Sequence, residues 1–109
     1  MAKRVLWHAN GAKRLEGNYS NGKKVGLWQE WNVNGEKISE GDYENGKKQG
    51  SWTYWQGAQK WREGIYNNGQ ENGTWTEWNF KGVKICQRNY KDGELLAETK
   101  WDHNGKVQK

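Results

Sequence analysis

The side chains that most often carry out catalysis are few in this sequence and lie far apart. The two histidines, His8 and His103, are near opposite ends of the 109 residues, and Cys86 is the only cysteine. Metal binding and nucleophilic catalysis need several such groups at one place. We therefore expect no catalytic residue, no bound metal and no cofactor, and we predict that the protein is not an enzyme.

Lysines in equivalent positions could instead bind anions. The pairs Lys23-Lys24 and Lys47-Lys48 each follow an Asn-Gly dipeptide, and the formal net charge of the chain is +5. A basic edge formed by Lys23, Lys24, Lys47 and Lys48 could attract anionic lipid headgroups or nucleic acid. The same lysines could simply keep the edge of a sheet from pairing with other chains.

Nine tryptophans form the second set of residues suited to binding, and eight of them recur at regular intervals. Neighbours within each series are 23 or 24 residues apart. One series is Trp28, Trp52 and Trp75; the other is Trp7, Trp31, Trp55, Trp78 and Trp101. Self-similarity at a fixed period of this length is typical of repeat proteins. We predict a single domain over residues 1–109, with a half-unit at 4–26, units at 27–50, 51–73 and 74–97, and a capping half-unit at 98–109.

Each unit contains two Gly-bearing turns and therefore two strands. Asn-Gly dipeptides between alternating residues are strong hairpin signals. The sequence predicts an all-β fold, a single elongated, twisted antiparallel meander sheet of about ten strands built from tandem β-hairpin repeats. A type I′ turn at Asn34-Gly35 would place Trp31 opposite Ile38, and a three-residue loop is expected at 57–59.

The same register pairs large rings with glycines. With a four-residue loop at 45–48, Trp28 and Trp52 would both face Gly41, and Tyr43 would lie between Gly26 and Gly50. A ring beside a glycine can cover its bare backbone. The residues predicted to form these pairs are Trp28, Gly41, Trp52, Gly64, Trp75, Tyr43 and Tyr66. Tyr66 is likewise expected opposite Gly73. Such pairs would stabilise a chain in which only 14 of 109 residues are Leu, Ile, Val or Phe.

A second aromatic row is predicted on the opposite face, where no further layer would cover it. Its members are Trp7, Arg14, Trp31, Ile38, Trp55, Trp61, Trp78 and Ile85. Arg14 would lie between Trp7 and Trp31 in a cation–π contact. Exposed apolar patches often mark interfaces, and Trp is favoured at binding hot spots. A β-bulge could instead bring Trp28 and Trp31 onto one face.

Three segments carry a family resemblance. The stretches YSNGKKVGLWQEW, YENGKKQGSWTYW and YNNGQENGTWTEW resemble the MORN-repeat variant of bacterial proteins, and the similarity extends from about Val5 to Lys106. The resemblance implies stacked β-hairpins in an elongated sheet and protein-binding, scaffolding or lipid-binding roles, often with self-association. Members of that group are often labelled antitoxins, which implies a toxin as partner. Arg88, Ala97 and Thr99 depart from the repeat.

Taken together, the sequence predicts a module that binds a protein partner, which could be a toxin, or that forms a homodimer. The alternative is a module that binds a sugar or an anionic lipid headgroup through Trp rings and the basic edge. Nucleic acid is disfavoured because the Trp28-type rings are already used over glycine. With no signal peptide or transmembrane segment in the chain, a cytoplasmic location is expected.

Overall fold

The computed structural model describes residues 2–108, which form one open antiparallel sheet with its strands in chain order. The sheet measures 48 × 33 × 14 Å, so it is a single layer. Its strands are β1 Ala2–Trp7, β2 Lys13–Ser20, β3 Lys23–Trp31, β4 Lys37–Glu44, β5 Lys47–Gln56, β6 Gln59–Asn67, β7 Gln70–Trp78, β8 Lys84–Lys91 and β9 Glu94–Lys100.

The predicted fold class is confirmed. Nine strands pair only with their sequence neighbours, and an isolated bridge between Trp101 and Val107 lies where a tenth strand would begin. The described residues contain no helix long and apolar enough to cross a membrane.

Four two-residue turns lie at the edge opposite to the one predicted. Asn21, Asn45, Asn68 and Asp92 all have positive φ, between 49 and 52°, and each precedes a glycine with positive φ. This conformation at both positions defines a type I′ turn. The expected four-residue loop at 45–48 is therefore wrong, because Glu44 pairs directly with Lys47.

The turn at Asn34-Gly35 is longer than predicted, and the side chain of Asn32 explains why. Its Oδ1 accepts hydrogen bonds from the backbone N–H groups of Asn34 and Glu36, at 2.9 and 3.0 Å. Asn32 N–H also donates to the carbonyl of Glu36, and only Gly35 has positive φ. Asn79 holds the equivalent turn in the same way. The loop expected at 57–59 is a two-residue turn between the paired Gln56 and Gln59.

The turn at 45–46 is shorter than predicted, which alone would shift the pairing of β4 with β5. β-Bulges offset this shift, so part of the predicted register is kept. The predicted pairs Trp28–Gly41, Gly26–Tyr43 and Gly41–Trp52 are confirmed. The pairs expected beyond them are wrong: Tyr43 lies opposite Lys48, not Gly50, and Tyr66 lies opposite Glu71, not Gly73.

Two extra residues on β5, Gly50 and Ser51, restore the pairing of Gly41 with Trp52. Gly50 has a φ of 76°, and the equivalent Gly26 and Gly73 also have positive φ. Residues that carry a side chain rarely adopt a positive φ, so glycine is favoured at these positions.

A smaller bulge lies at the other end of each long hairpin. Trp31 pairs with Lys37, which leaves Ile38 as an extra residue on β4, so the predicted Trp31–Ile38 pair is wrong. Arg14, Trp61 and Ile85 are the corresponding extra residues on β2, β6 and β8.

The last unit departs from the repeat in structure as well as in sequence. Ala97 replaces the positive-φ glycine, and the bulge in β9 shrinks from two extra residues to one. Arg88 therefore faces Glu98 instead of Thr99.

Candidate binding surface

The buried indoles of Trp28, Trp52 and Trp75 are packed against glycines of the preceding strand. A Cβ atom on Gly17, Gly41 or Gly64 would collide with the indole of Trp28, Trp52 or Trp75, respectively. Each indole N–H donates to the carbonyl of the next residue along that strand; for Trp52 this is Asp42, at 2.9 Å. Each ring therefore covers one glycine, although two flanking rings were predicted for Gly41.

Tyrosines separate these indoles along the sheet. Tyr19 and Tyr43 meet Trp28 edge-on, with ring centroids 5.2 and 6.0 Å apart, and Tyr66 meets Trp75 at 4.8 Å. Edge-to-face packing is a favoured arrangement of aromatic rings. We call this side of the sheet the aromatic face.

Two of the four lysines predicted to form a basic edge cover this face instead. Lys24 Nζ lies 4.8 Å from the Trp28 ring and 4.9 Å from Tyr43. Lys48 Nζ lies 4.7 Å from the Trp52 ring. Both lysines are partly buried, whereas Lys23 and Lys47 are exposed beside the turn glycines of the next hairpin. The lysines thus alternate between the ring surface and the hairpin tips.

Lys48 also begins a chain of hydrogen bonds. Its Nζ donates to Tyr54 Oη at 3.0 Å, and Tyr54 Oη lies 3.0 Å from Tyr66 Oη. Burial, followed by the hydrogen bond with Tyr54, raises the pKa of Tyr66 to about 12. Burial also raises the pKa values of Tyr54 and Tyr43. These hydroxyls therefore stay neutral at ordinary pH, and those of Tyr54 and Tyr66 are hydrogen-bonded to each other.

The opposite face carries a second series of lysine–tryptophan contacts. Lys13, Lys37 and Lys60 lie 5.4–5.6 Å from the rings of Trp31, Trp55 and Trp78, respectively. The cation over Trp31 is thus Lys13, not the predicted Arg14, because Arg14 is the extra residue of a bulge. These lysines also form ion pairs at 2.8–3.0 Å with Glu16, Glu40 and Glu63.

The bulges also divide the predicted second row between the two faces. Trp28 and Trp31 are three residues apart on a regular stretch of β3, so they project from opposite faces. The bulge residues Ile38 and Trp61, by contrast, border the same concavity as Trp28 and Trp52. Trp7, at the first strand, is 60% exposed. The row is therefore not one continuous surface.

Two concavities lie side by side along the aromatic face. The first, the lysine groove, has a volume of about 410 Å³ and is bordered by Lys24, Lys48, Glu30, Ile38, Tyr54 and Trp61. The second, the Phe80 groove, has a volume of about 710 Å³ and reaches the turns at the edge of the sheet. It is bordered by Trp61, Phe80, Ile85, Gln59 and Glu77, and at that edge also by Trp78 of the opposite face. Trp61 borders both grooves, so they form one surface.

Phe80 was not among the predicted site residues. It is the only phenylalanine, lies in a turn outside the tryptophan series, and is 83% exposed. Its neighbour in the groove, Trp61, is 37% exposed. A large aromatic residue in a turn, outside the tryptophan series, was the signal that the sequence offered.

Toward the end of the repeat array, arginines are neutralised by neighbouring glutamates. Arg62 lies 4.4 Å from the Trp75 ring and approaches Glu71 and Glu77 at 3.5 and 3.8 Å. Arg88, which stands where other units have glycine, binds Glu77 at 2.7 Å and Glu98 at 2.6 Å. Hydrogen bonds from Arg88 lower the pKa of Glu98.

Groups that could hold a metal are not assembled in the part of the chain that the structure covers: residues 2–108 contain no cluster of three or more His, Cys, Asp or Glu side chains. Cys86 is buried, and burial raises the pKa of its thiol. No protein-family model and no curated protein matches this chain.

Proposed function

We propose that this protein is a non-enzymatic repeat module that binds a protein partner through the aromatic face. One observation carries the proposal: Trp61 and Phe80 are exposed side by side in a groove of about 710 Å³. Contiguous apolar surface of this kind marks interaction sites, and aromatic residues dominate the binding energy of interfaces.

The thinness of the sheet supports this choice of surface. At 14 Å the molecule has no second layer that could cover Trp61 or Phe80. The adjacent lysine groove extends the apolar surface through Ile38 and adds charged groups at its border. A partner would therefore meet an apolar centre with a polar rim, as at many protein interfaces.

An antitoxin or immunity role is the most concrete form of this proposal. It rests on the resemblance of the repeat segments to the MORN-repeat variant. A toxin would then be the partner, and a second copy of the chain is the other protein that could occupy the face.

Peptide selection tests the proposal without knowledge of the partner. Random peptides displayed on phage would be selected against the immobilised protein, and binding of the recovered peptides would be measured with Trp61→Ala and Phe80→Ala. We expect each substitution to weaken binding about tenfold or more, as at interface hot spots. Leu27→Ala and Ile65→Ala are matched controls, because these apolar residues are about half exposed and lie on the opposite face.

Equal losses in all four variants, or no loss in any, would contradict the proposed surface. Sedimentation velocity distinguishes a second copy of the chain from a different protein as the partner bound to the aromatic face. A dimer that Trp61→Ala dissociates would identify a second copy as the partner.

A saccharide is the second candidate ligand, and the border of the Phe80 groove favours it. Gln56, Gln59, Asn79 and Glu77 surround the rings of Trp61 and Phe80. Amide and carboxylate side chains around exposed rings suit a ligand with apolar faces and many hydroxyls. Retention on a glycan array that Trp61→Ala and Glu77→Gln both abolish would favour this function over protein binding.

A further inference from the structure

Two ammonium groups in the lysine groove form no ion pair with the residues that the structure describes. No carboxylate of residues 2–108 forms an ion pair with Lys24 or Lys48. Lys48 uses one donor for Tyr54 Oη, and no hydrogen bond from Lys24 Nζ is formed within the same span. An ammonium group has three N–H donors. Donors therefore remain for an anion.

Four of the other cations that lie over rings are paired with carboxylates, whereas Lys81 over Phe80 and Lys84 over Trp101 lie outside the lysine groove and form no ion pair within residues 2–108. Lys13, Lys37 and Lys60 each bind a glutamate on the opposite face. Arg62, which occupies the third position on the aromatic face, has carboxylates of Glu71 and Glu77 beside it. Of the three cations that lie over Trp28, Trp52 and Trp75, only Lys24 and Lys48 are unpaired in the described part of the chain, so the lysine groove holds two unpaired ammonium groups on the aromatic face.

We propose that the lysine groove binds an acidic segment of a polypeptide partner, with carboxylates at Lys24 and Lys48 and an apolar side chain against Trp61. The inference rests on the proposed protein-binding function and adds the chemistry of the partner. Lys24 is on β3 and Lys48 on β5, two strands apart, so their backbones are separated by at least about 9.6 Å. A peptide in the polyproline II conformation has three residues per turn, so residues i and i+3 lie on the same side of it, about 9.3 Å apart. This spacing favours acidic residues at positions i and i+3.

The covered rings favour a polypeptide over a nucleic acid. Single-stranded nucleic acids bind by stacking bases on free aromatic faces. Trp28 and Trp52 are only 2 and 3% exposed, with a glycine beneath the ring and a lysine above it. The exposed ring is Trp61, at one side of the groove.

The position of the lysines also favours a polypeptide over a membrane. A flat lipid surface would meet the exposed Lys23 and Lys47 at the hairpin tips before the partly buried Lys24 and Lys48. A narrow segment can enter the groove and reach both ammonium groups.

Glu30 supplies an internal test of the charge argument. It borders the same groove, where its carboxylate accepts a hydrogen bond from Ser39 Oγ at 3.3 Å. Its negative charge opposes binding of an acidic ligand. Glu30→Gln should therefore tighten binding of an acidic peptide, by about threefold or more at low salt.

The decisive experiment compares two labelled synthetic peptides by fluorescence anisotropy. One contains glutamates at i and i+3 with leucines between them, and the other has glutamines in their place. We expect the wild-type protein to bind the glutamate peptide about tenfold more tightly. The double variant Lys24→Gln/Lys48→Gln should lose this preference, whereas Lys23→Gln/Lys47→Gln, with the same change in net charge, should keep it. Circular dichroism and thermal unfolding establish that each variant is folded.

Several outcomes would overturn the inference. These are absence of a preference for glutamate, an equal loss in both double variants, or binding that depends on Lys24 and Lys48 only for phosphatidylserine vesicles or oligothymidylate. The proposed function can be tested separately from this inference, because protein binding through the aromatic face depends on Trp61 and Phe80. If Trp61→Ala abolishes peptide binding while the variant of Lys24 and Lys48 keeps the preference for glutamate, the binding surface stands and its proposed acidic partner is wrong.

Discussion

The indole of Trp52 occupies the space in which a Cβ atom of residue 41 would lie, so that Gly41 and Trp52 form a single packing unit. Gly41→Ala should lower the free energy of unfolding by about 2–3 kcal/mol, because the methyl group must displace a ring that is buried on all sides. Urea unfolding followed by tryptophan fluorescence would measure the loss.

A double-mutant cycle shows whether the Trp52 ring causes the loss of stability in Gly41→Ala. In a Trp52→Leu background the alanine should cost clearly less, since the smaller side chain leaves room for the methyl group. An unchanged cost in that background would attribute the effect to backbone conformation instead.

Trp75→Phe should destabilise the sheet more than Trp78→Phe. The first substitution removes the indole N–H that donates to the carbonyl of Ile65 at 3.0 Å and shrinks a ring that is 2% exposed. We expect a loss of about 2–3 kcal/mol. Trp78 is only partly buried, on the opposite face, and its substitution should cost about 1 kcal/mol or less. Equal losses by urea unfolding would contradict the assignment of the two series to different faces.

Alkaline pH should weaken the fold through Tyr66. Its pKa is raised to about 12 in the folded protein, so the folded state keeps a proton that the unfolded state releases near the usual tyrosine value of 10. The stability from this group is complete below pH 10 and declines as the pH rises toward 12. Unfolding free energies across this window should fall less steeply for Tyr66→Phe. A slope identical to that of the wild type would show that Tyr66 does not control the alkaline transition.

The carboxyl group of Glu40 should titrate below the usual range. The hydrogen bond from Lys37 is the main cause of its lowered pKa, and Gln29 adds a second hydrogen bond. Its contribution to stability is therefore complete above the ordinary pKa of 4.5 and declines as the pH falls below it. NMR titration should show the pKa returning toward its ordinary value in Lys37→Gln but not in Lys47→Gln, which removes a distant lysine. A Glu40 pKa that does not move in Lys37→Gln would rule out the ion pair as the cause.

Sequence periodicity was sufficient to predict the single-layer sheet and the pairing of Trp28 and Trp52 with Gly41, because ring and glycine recur at complementary positions. It did not separate the two kinds of turn, since Asn-Gly occurs at both edges. The distinguishing residue lies earlier: Asn32 stands three residues before Gly35, and its side chain fixes the longer turn.

The sequence does contain a signal for the small bulges, but the repeat period does not reveal it. Lys37 and Glu40 are three residues apart, which would place them on opposite faces of a regular strand. Their ion pair forms because Ile38 is an extra residue. The bulge at Trp61 has the corresponding pair Lys60–Glu63. Lys–Glu spacings of three within predicted strands thus indicated which residues would leave the second row.

The hydrogen bonds between neighbouring hairpin tips have a mechanical consequence. Each hairpin tip is joined to the next by a hydrogen bond, from Gly46 N–H to the Lys24 carbonyl, Gly69 N–H to Lys48 and Gly93 N–H to Glu71. These bonds and the strand ladders run along the long direction of the sheet, from β1 to β9. Tension applied between the first and last strands would load them in series, so we expect the molecule to unzip at low force, one strand at a time, rather than rupture in a single event.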